Sequence, residues 1–406
     1  MISQNEFKAE AIAFLEAHAA VRVKEEFRWG VGSDDVALFD EMSPEAEREM
    51  VAKAKAWRAT KFDAGFGWIS GPEQYGGRGL PSSYDRLFTS LESGYDVPDQ
   101  TTPMGVSLGM VAPTILAHGT DEVKERYLRA QYRGDLIGCQ LFSEPGAGSD
   151  LAGVSTRAVR DGDEWVLNGQ KVWTSGAQFS DIGEIICRSD RDAPKHKGMT
   201  AFVVDMHAPG VEVRPLRQMT GGASFNEVYF TDVRVPESHR LGEVNEGWMV
   251  ALTTLMNERA SISSDTAGVG LGLGSTTRLI QMLHHFGLAS DPVLRQELAK
   301  IYVGFHVAKY TGLRAEEKMK AGALPGPEMS IGKLALTRNL AAVSEFVGRV
   351  LGPRLVADTG EWGTYAWSEF VLGAPGFRIA GGTDEVLHNI IGERVLGLPK
   401  EPAATK

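Results

Sequence analysis

The chain has 406 residues, more than one hydrophobic core usually serves, so two or three closely packed domains are expected. Hydrophobic residues make up 43% and charged residues 23%, a globular composition that argues against a disordered chain. The formal charge is −11, from 42 basic and 53 acidic residues, and no Lys/Arg-rich block appears, which argues against a nucleic-acid partner.

From the start to about residue 135, apolar residues recur at helical spacing, as in Phe7, Ile12 and Phe14 or Leu87, Phe88 and Leu91. The N-terminus is amphipathic and carries acids, unlike a secretion signal or a transit peptide. An irregular stretch from Trp29 to Pro44 interrupts the helices, and the Gly/Pro-rich run Ile69 to Leu80 predicts a loop. From about Leu136 to Leu241 the texture is β. Trp165-Val-Leu-Asn-Gly-Gln-Lys-Val-Trp173 predicts two short strands around an Asn168-Gly169 turn, because both turn positions of such a hairpin need positive φ. Further strands are expected at Ala201 to Asp205, Val211 to Arg214 and Phe225 to Phe230. After Glu246 the helical period returns, with a long helix from Gly247 to Phe286 and loops at Gly322 to Pro327 and Leu372 to Gly382. The order is therefore α, β, α, without the alternation of a doubly wound nucleotide fold. Cys139 and Cys187 lack the spacing of a disulfide framework or zinc site, no metal site is expected, and a cytoplasmic location is the natural reading. No stretch is long and apolar enough to cross a bilayer.

Four segments carry candidate chemistry. Leu141-Phe-Ser-Glu-Pro-Gly-Ala-Gly-Ser-Asp150 leaves a strand-like run and opens into small residues that expose backbone N–H groups; it reads equally as a strand and its turn. Trp173, Thr174 and Ser175 combine a planar face with two hydroxyls, suited to a planar cofactor, although a lone Trp is more often core. Glu258 and Arg259 lie among apolar neighbours on the long helix, where a charge needs a partner or a role; the alternative is a wet helix face. Gly381 and Gly382 precede a helix N-terminus with Thr383 as cap and Asp384 and Glu385 in its first turn, a place for a ligand to approach backbone or simply a turn.

Together, in this order, these segments resemble the acyl-CoA dehydrogenase family. Pro72 to Leu80 matches its N-terminal loop, Ser143 to Asp150 its most specific motif, Leu167 to Trp173 its hairpin, and Val233 to Pro236, Leu241-Gly-Glu and Glu246-Gly-Trp its exit from the β region. The resemblance implies an α+β multidomain chain, with an N-terminal helical domain (1–135), a central β-barrel (136–241) and a C-terminal four-helix bundle (242–406). It implies FAD as cofactor, held by Gln140, Phe142, Ser143, Gly148, Ser149, Trp173, Thr174, Ser175, Thr383, Asp384 and Glu385. Ser149, Arg259, Gly381 and Gly382 match the substrate side. The implied reaction is α,β-dehydrogenation of an acyl-CoA to the trans-2-enoyl-CoA, with hydride passing to flavin N5.

Many members carry a catalytic Glu immediately before the last Gly-Thr, where this chain has Gly381. A minority place the base on the long helix, just before the family arginine, and Glu258 stands there. Glu258 is therefore the expected base, its basicity raised by burial beside flavin and acyl chain. Two departures stand out. The family's Arg-x-x-Phe-Gly, whose arginine reaches a neighbouring subunit's flavin, is Leu283-His-His-Phe-Gly287 here, and its Gln-x-x-Gly-Gly has no clear counterpart near Leu351 to Gly360. These variants resemble bacterial dehydrogenases of sterol-derived or other bulky CoA thioesters. The expected partners are an electron-transferring flavoprotein and further subunits, as a homodimer, homotetramer or heteromer. A non-catalytic partner subunit and a flavin oxidase on the same fold are the alternatives.

Overall fold

A computed structural model describes residues 2–23, 26–39, 41–264, 276–320 and 326–400; the side chains of 259–264, 316 and 318–320 fall outside the description. The chain forms two compact units: Met1–Lys24, Glu41–Arg217 and Ala223–Asn257 in the first, and Glu25–Asp40, Gln218–Gly222 and Glu258–Lys406 in the second.

The first unit begins with α1 (Gln4–His18), whose N-terminus is closed by a Ser3–Glu6 capping box. Phe7, Ala11, Phe14 and Leu15, at helical spacing, bury one face of α1. A two-residue strand β1 (Ala20–Val21) pairs with β2 (Tyr95–Asp96), and between them lie α2 (Pro44–Asp63) and α3 (Ser82–Glu92). Then come α4 (Thr101–Val106), a π-helical turn, α5 (Ala112–His118) and α6 (Asp121–Arg133). Thr120 caps α6 at its start and left-handed Gly134 ends it.

The middle part is one eight-stranded sheet: β3 (Gly138–Leu141), β4 (Arg157–Asp161), β5 (Glu164–Ser175), β6 (Ile182–Arg188), β7 (Met199–Asp205), β8 (Val211–Leu216), β9 (Phe225–Pro236) and β10 (Arg240–Leu241). Its order is β10-β7-β6-β4-β5-β9-β8, with β3 parallel to β6. The pairing path has two ends, β10 and β8, so a helical–sheet–helical organisation is what stands. The expected hairpin at Asn168-Gly169 is not formed. The β4–β5 hairpin turns instead at Gly162-Asp163, with Gly162 at φ 67°, and β5 runs on unbroken. Asn168 and Gly169 mark a register shift against β9. Gly169 has φ 155°, and a Cβ there would meet Thr156 at 2.5 Å, so the glycine serves close strand approach. Asn168 exchanges two 3.0 Å hydrogen bonds with Asp232, a residue itself at φ 49°.

α7 (Gly247–Ser264) follows, and the part of the expected long helix at 265–275 lies outside the described residues, as does most of the expected loop at 322–327. The second unit contains α8 (Thr277–His285), α9 (Pro292–Lys320), α10 (Met329–Leu351), α11 (Trp367–Ile379) and α12 (Asp384–Ile390). Its core joins Leu283, Phe305, Leu340, Phe346, Trp367 and Phe370 with Val36 and Leu38, which come from a strap running from Phe27 to Phe39. Trp29 stacks on His285 with centroids 5.2 Å apart, and Arg278 donates to the Asp34 and Asp35 carbonyls. The loop expected at Leu372 to Gly382 is helical as far as Ile379, with Pro375 inside. The glycines that read as loop formers let the strap approach: a Cβ on Gly373 would sit 3.3 Å from Leu38 and one on Gly376 3.4 Å from the Phe39 ring. α9 exposes Val303, Val307 and Tyr310 at i, i+4, i+7 spacing, beside Tyr302. Among the described residues, no helix is long and apolar enough to cross a membrane and no group of His, Cys, Asp or Glu is arranged to hold a metal.

Candidate functional site

The loop after β3 is built on a buried ion pair. Glu144 accepts the Ser155 N–H and hydroxyl at 2.7 and 2.8 Å, the Thr156 N–H at 2.9 Å and the Lys171 ammonium at 2.9 Å. Lys171, fully buried, also donates to the Phe142 carbonyl at 2.9 Å. Burial alone would raise the Glu144 pKa; the Lys171 charge and these hydrogen bonds outweigh it and pull the carboxyl down to about 2. The loop is thus clamped at its root, while Pro145, Gly146, Gly148, Ser149 and Asp150 are exposed. A Cβ on Gly146 or Gly148 would meet nothing within 4 Å. Phe142 is buried, and Gln140 and Ser143 are half-buried. Cys139 and Cys187 are free, buried thiols of the sheet, and burial pushes each up to about 12.

At the end of β5, Trp173 has φ 62° and is 53% exposed. An aromatic residue in the left-handed region is strained, and such strain clusters at functional sites. The Trp is not the core residue that its type favours. Ser175 is exposed, while the Thr174 hydroxyl is buried without a hydrogen-bond partner. In the same unit, Ala152 to Ser155, Arg188, Arg191, Ala193 and Lys195 line an open cavity of about 590 Å³. Arg188 is anchored by donating to the Ala152, Val154 and Lys195 carbonyls, and Lys195 pairs with Asp150.

In the second unit, Gly381 and Gly382 are both left-handed, at φ 63° and 93°. Thr383 caps α12 by accepting the Val386 N–H. Asp384 is buried and uses both oxygens on protein donors: Thr337 to Oδ1 at 2.9 Å and Arg378 to Oδ2 at 2.8 Å. Burial would raise its pKa, but those bonds and the Lys333 charge hold the carboxyl below the usual range. Lys333, 5% exposed, donates to the Gly382 carbonyl at 2.7 Å. Burial lowers the Lys333 pKa, opposed by the charges of Asp384, Glu258 and Glu385. Glu258 is half-buried on α7; Glu385 is exposed; the Arg259 side chain lies outside the described residues.

The supporting roles of Glu144 and Lys171 and the whole of the Lys333–Thr337–Arg378 group escape sequence reasoning. One signal was available: Lys333 lies in phase with Met329, Thr337 and Leu340 on the buried face of α10, where a lysine is out of place. Leu283, where the resemblance leads one to expect an arginine, is 3% exposed in the second unit's core.

Comparison with known proteins agrees with this layout. The chain matches the acyl-CoA dehydrogenase N-terminal domain over residues 35–135, the middle domain over 139–233 and the C-terminal domain over 245–396. It is 34% identical over 366 residues to acyl-CoA dehydrogenase IpdE1 of Mycobacterium tuberculosis, covering 88% of this chain and 91% of that protein. It is 42% identical over 291 residues to acyl-CoA dehydrogenase FadE34 of the same organism, covering 71% of this chain but only 39% of FadE34. Among solved structures, the ChsE4–ChsE5 complex from Mycobacterium tuberculosis superposes with a TM-score of 0.70 at 27% identity, over 99% of both chains. The chain belongs to the acyl-CoA dehydrogenase family, flavoprotein oxidoreductases that bind FAD and act on acyl-CoA thioesters.

Proposed function

We propose that the chain carries out α,β-dehydrogenation of an acyl-CoA to the trans-2-enoyl-CoA, with Glu258 as the base that takes the α proton. The observation that carries this reading is the buried ammonium of Lys333, which holds the Gly382 carbonyl and also feels the charge of Glu258. It supports a base on α7 serving the same substrate carbon as the Gly381 turn, although the two are far apart in sequence. FAD, when bound, supplies the acceptor for the β hydride.

The residues fit that cofactor. Trp173, exposed in a strained conformation, offers a face to a planar ring, and the unsatisfied Thr174 hydroxyl with exposed Ser175 offers donors to its edge. Gln140, Phe142, Ser143, Gly148 and Ser149 hold it through the clamped loop, and Thr383, Asp384 and Glu385 from α12. Asp384 contributes by fixing the turn, since its oxygens are already engaged. Ser149 is the substrate-side residue of this loop, and the phosphates of a CoA thioester suit the cavity bearing Arg188, Arg191 and Lys195. The N–H groups of the Gly381–Gly382 turn stabilise the developing thioester enolate.

The finer features of the reading are a closed central barrel, a C-terminal four-helix bundle and domain limits at 1–135, 136–241 and 242–406. They extend to a bulky, sterol-type acyl group, an electron-transferring flavoprotein as acceptor and a cytoplasmic location. The chain assembles with copies of itself or a related chain, supported by the apolar stripe on α9. Burial of Leu283 favours a related chain supplying the missing arginine, and in its extreme form the partner-subunit alternative.

The test follows the visible spectrum anaerobically as acyl-CoAs of different chain size are added. The wild type is expected to bleach with one of them, and Glu258→Gln to keep its flavin but lose bleaching by at least 10³-fold, as for loss of a general base. Undiminished bleaching by that variant would place the base elsewhere.

A further inference from the structure

We infer that Lys333 is a positioning residue for the dehydrogenation, acting through the Gly381–Gly382 turn; the inference rests on the reading that this turn receives the thioester oxygen. Two successive glycines form the least restrained stretch of backbone available to a chain, and both here sit at positive φ. A turn asked to aim N–H groups at a developing enolate must be held, because a donor displaced by a fraction of an ångström loses much of its effect.

The geometry provides the hold. Lys333 Nζ donates to the Gly382 carbonyl at 2.7 Å, one residue before the Thr383 cap of α12. The same ammonium lies 3.9 Å from Asp384 Oδ1, which Thr337 of α10 also bonds, and Arg378 of α11 closes the other Asp384 oxygen at 2.8 Å. Two helices, α10 and α11, thus fix the turn at the carbonyl and at the first residue of α12. A lysine 5% exposed carries a desolvation cost that an apolar residue of similar volume would avoid. The ammonium is also in the field of Glu258. Its charge therefore favours the ionised, proton-accepting form of that carboxylate, while among the described residues Asp384, Glu385 and Arg378 also act on the ammonium. No atom is transferred to or from Lys333: Glu258 takes the α proton, and flavin, when bound, would supply the hydride acceptor.

The test compares Lys333→Met and Lys333→Arg holoproteins with the wild type, using the acyl-CoA that bleaches the wild-type flavin. Expected for Lys333→Met are retained flavin, flavin reduction at saturating substrate slower by roughly 30–300-fold, and a substrate dissociation constant changed by less than about threefold. The pH–rate profile of reduction should move to higher pH with the charge removed. Lys333→Arg should recover most of the rate and the profile. Amide exchange in the 378–387 peptide should quicken in the Met variant and not in the Arg variant. Reduction within threefold of wild type in Lys333→Met, or a slow rate with an unmoved pH profile, unchanged exchange and no rescue by arginine, overturns the inference. Failure of the underlying reading looks different: Glu258→Gln would then reduce its flavin normally, whatever Lys333 does.

Discussion

A carboxylic acid enclosed by a sheet and two helices has little reason to ionise, and Glu184 is such an acid. It lies wholly buried on β6, with the Thr254 hydroxyl donating to Oε1 at 2.6 Å and Thr254 in turn 2.9 Å from Thr114; its second oxygen has no hydrogen-bond partner. Burial pushes its pKa up to about 8 against that hydrogen bond. Below pH 4.5 the group is protonated folded or unfolded; between 4.5 and about 8 only the unfolded chain ionises, so stability falls as pH rises; above about 8 the loss levels off. The slope is at most about 1.4 kcal/mol per pH unit. Glu184→Gln mimics the neutral form, and urea-unfolding midpoints at pH 5 to 8 should decline less than in the wild type. An equal decline would mean that Glu184 is ionised in the fold. An acid inside Ile182-Gly-Glu-Ile-Ile-Cys187 is visible in the sequence, yet its chemistry depends on both faces of β6 being covered, which no single segment reveals. Trp173 is the converse case: its residue type argues for the core, and its φ and exposure show that it is not there.

The elements divide by how local their causes are. The start of α12 was legible, because Thr383 acts within one turn of the residues it caps; Ser3 and Thr120 cap α1 and α6 by the same local means. Asn168-Gly169 and Gly373 to Gly376 were misread as breaks because their glycines answer distant neighbours, Thr156 in one case and Leu38 and Phe39 in the other. Turn chemistry and close approach call for the same residue. The strap from Phe27 to Phe39 had no periodicity to announce it, but its contacts are specific: Trp29 donates its N–H to Gln281 at 2.7 Å, meets Trp362 edge-on at 5.0 Å and stacks on His285. Trp29→Ala should cost about 2 kcal/mol, less than full truncation of a wholly buried Trp. It should also speed proteolysis within residues 26–39, with no change in flavin absorbance. A strap as protease-resistant as the wild type's would show that Trp29 does not secure it.

For the whole molecule, the α, β, α order and the family motifs were readable from residue texture, since each third of the chain keeps one hydrophobic period. The assembly is less legible, because it depends on surfaces that look alike in sequence whether they face water or a partner. Val303, Val307 and Tyr310, 57%, 58% and 65% exposed, make one face of α9 apolar. If the proposed assembly uses this face, Val307→Glu should lower the mass measured by light scattering, with the secondary structure intact. An unchanged mass would move the interface elsewhere.

The strap also sets an order of events. Val36 and Leu38 belong to the same core as Trp367 and Phe370, residues made more than three hundred positions later. At a synthesis rate of about 5–20 residues per second, the first of these side chains waits tens of seconds for the last. Until the C-terminal helices leave the ribosome, Val36 and Leu38 of the strap lack these core neighbours and are available to a holdase. The C-terminal half made alone would lack two of its core side chains. Adding a synthetic peptide of the strap sequence to that half is thus a direct way to ask whether the core can be completed in trans.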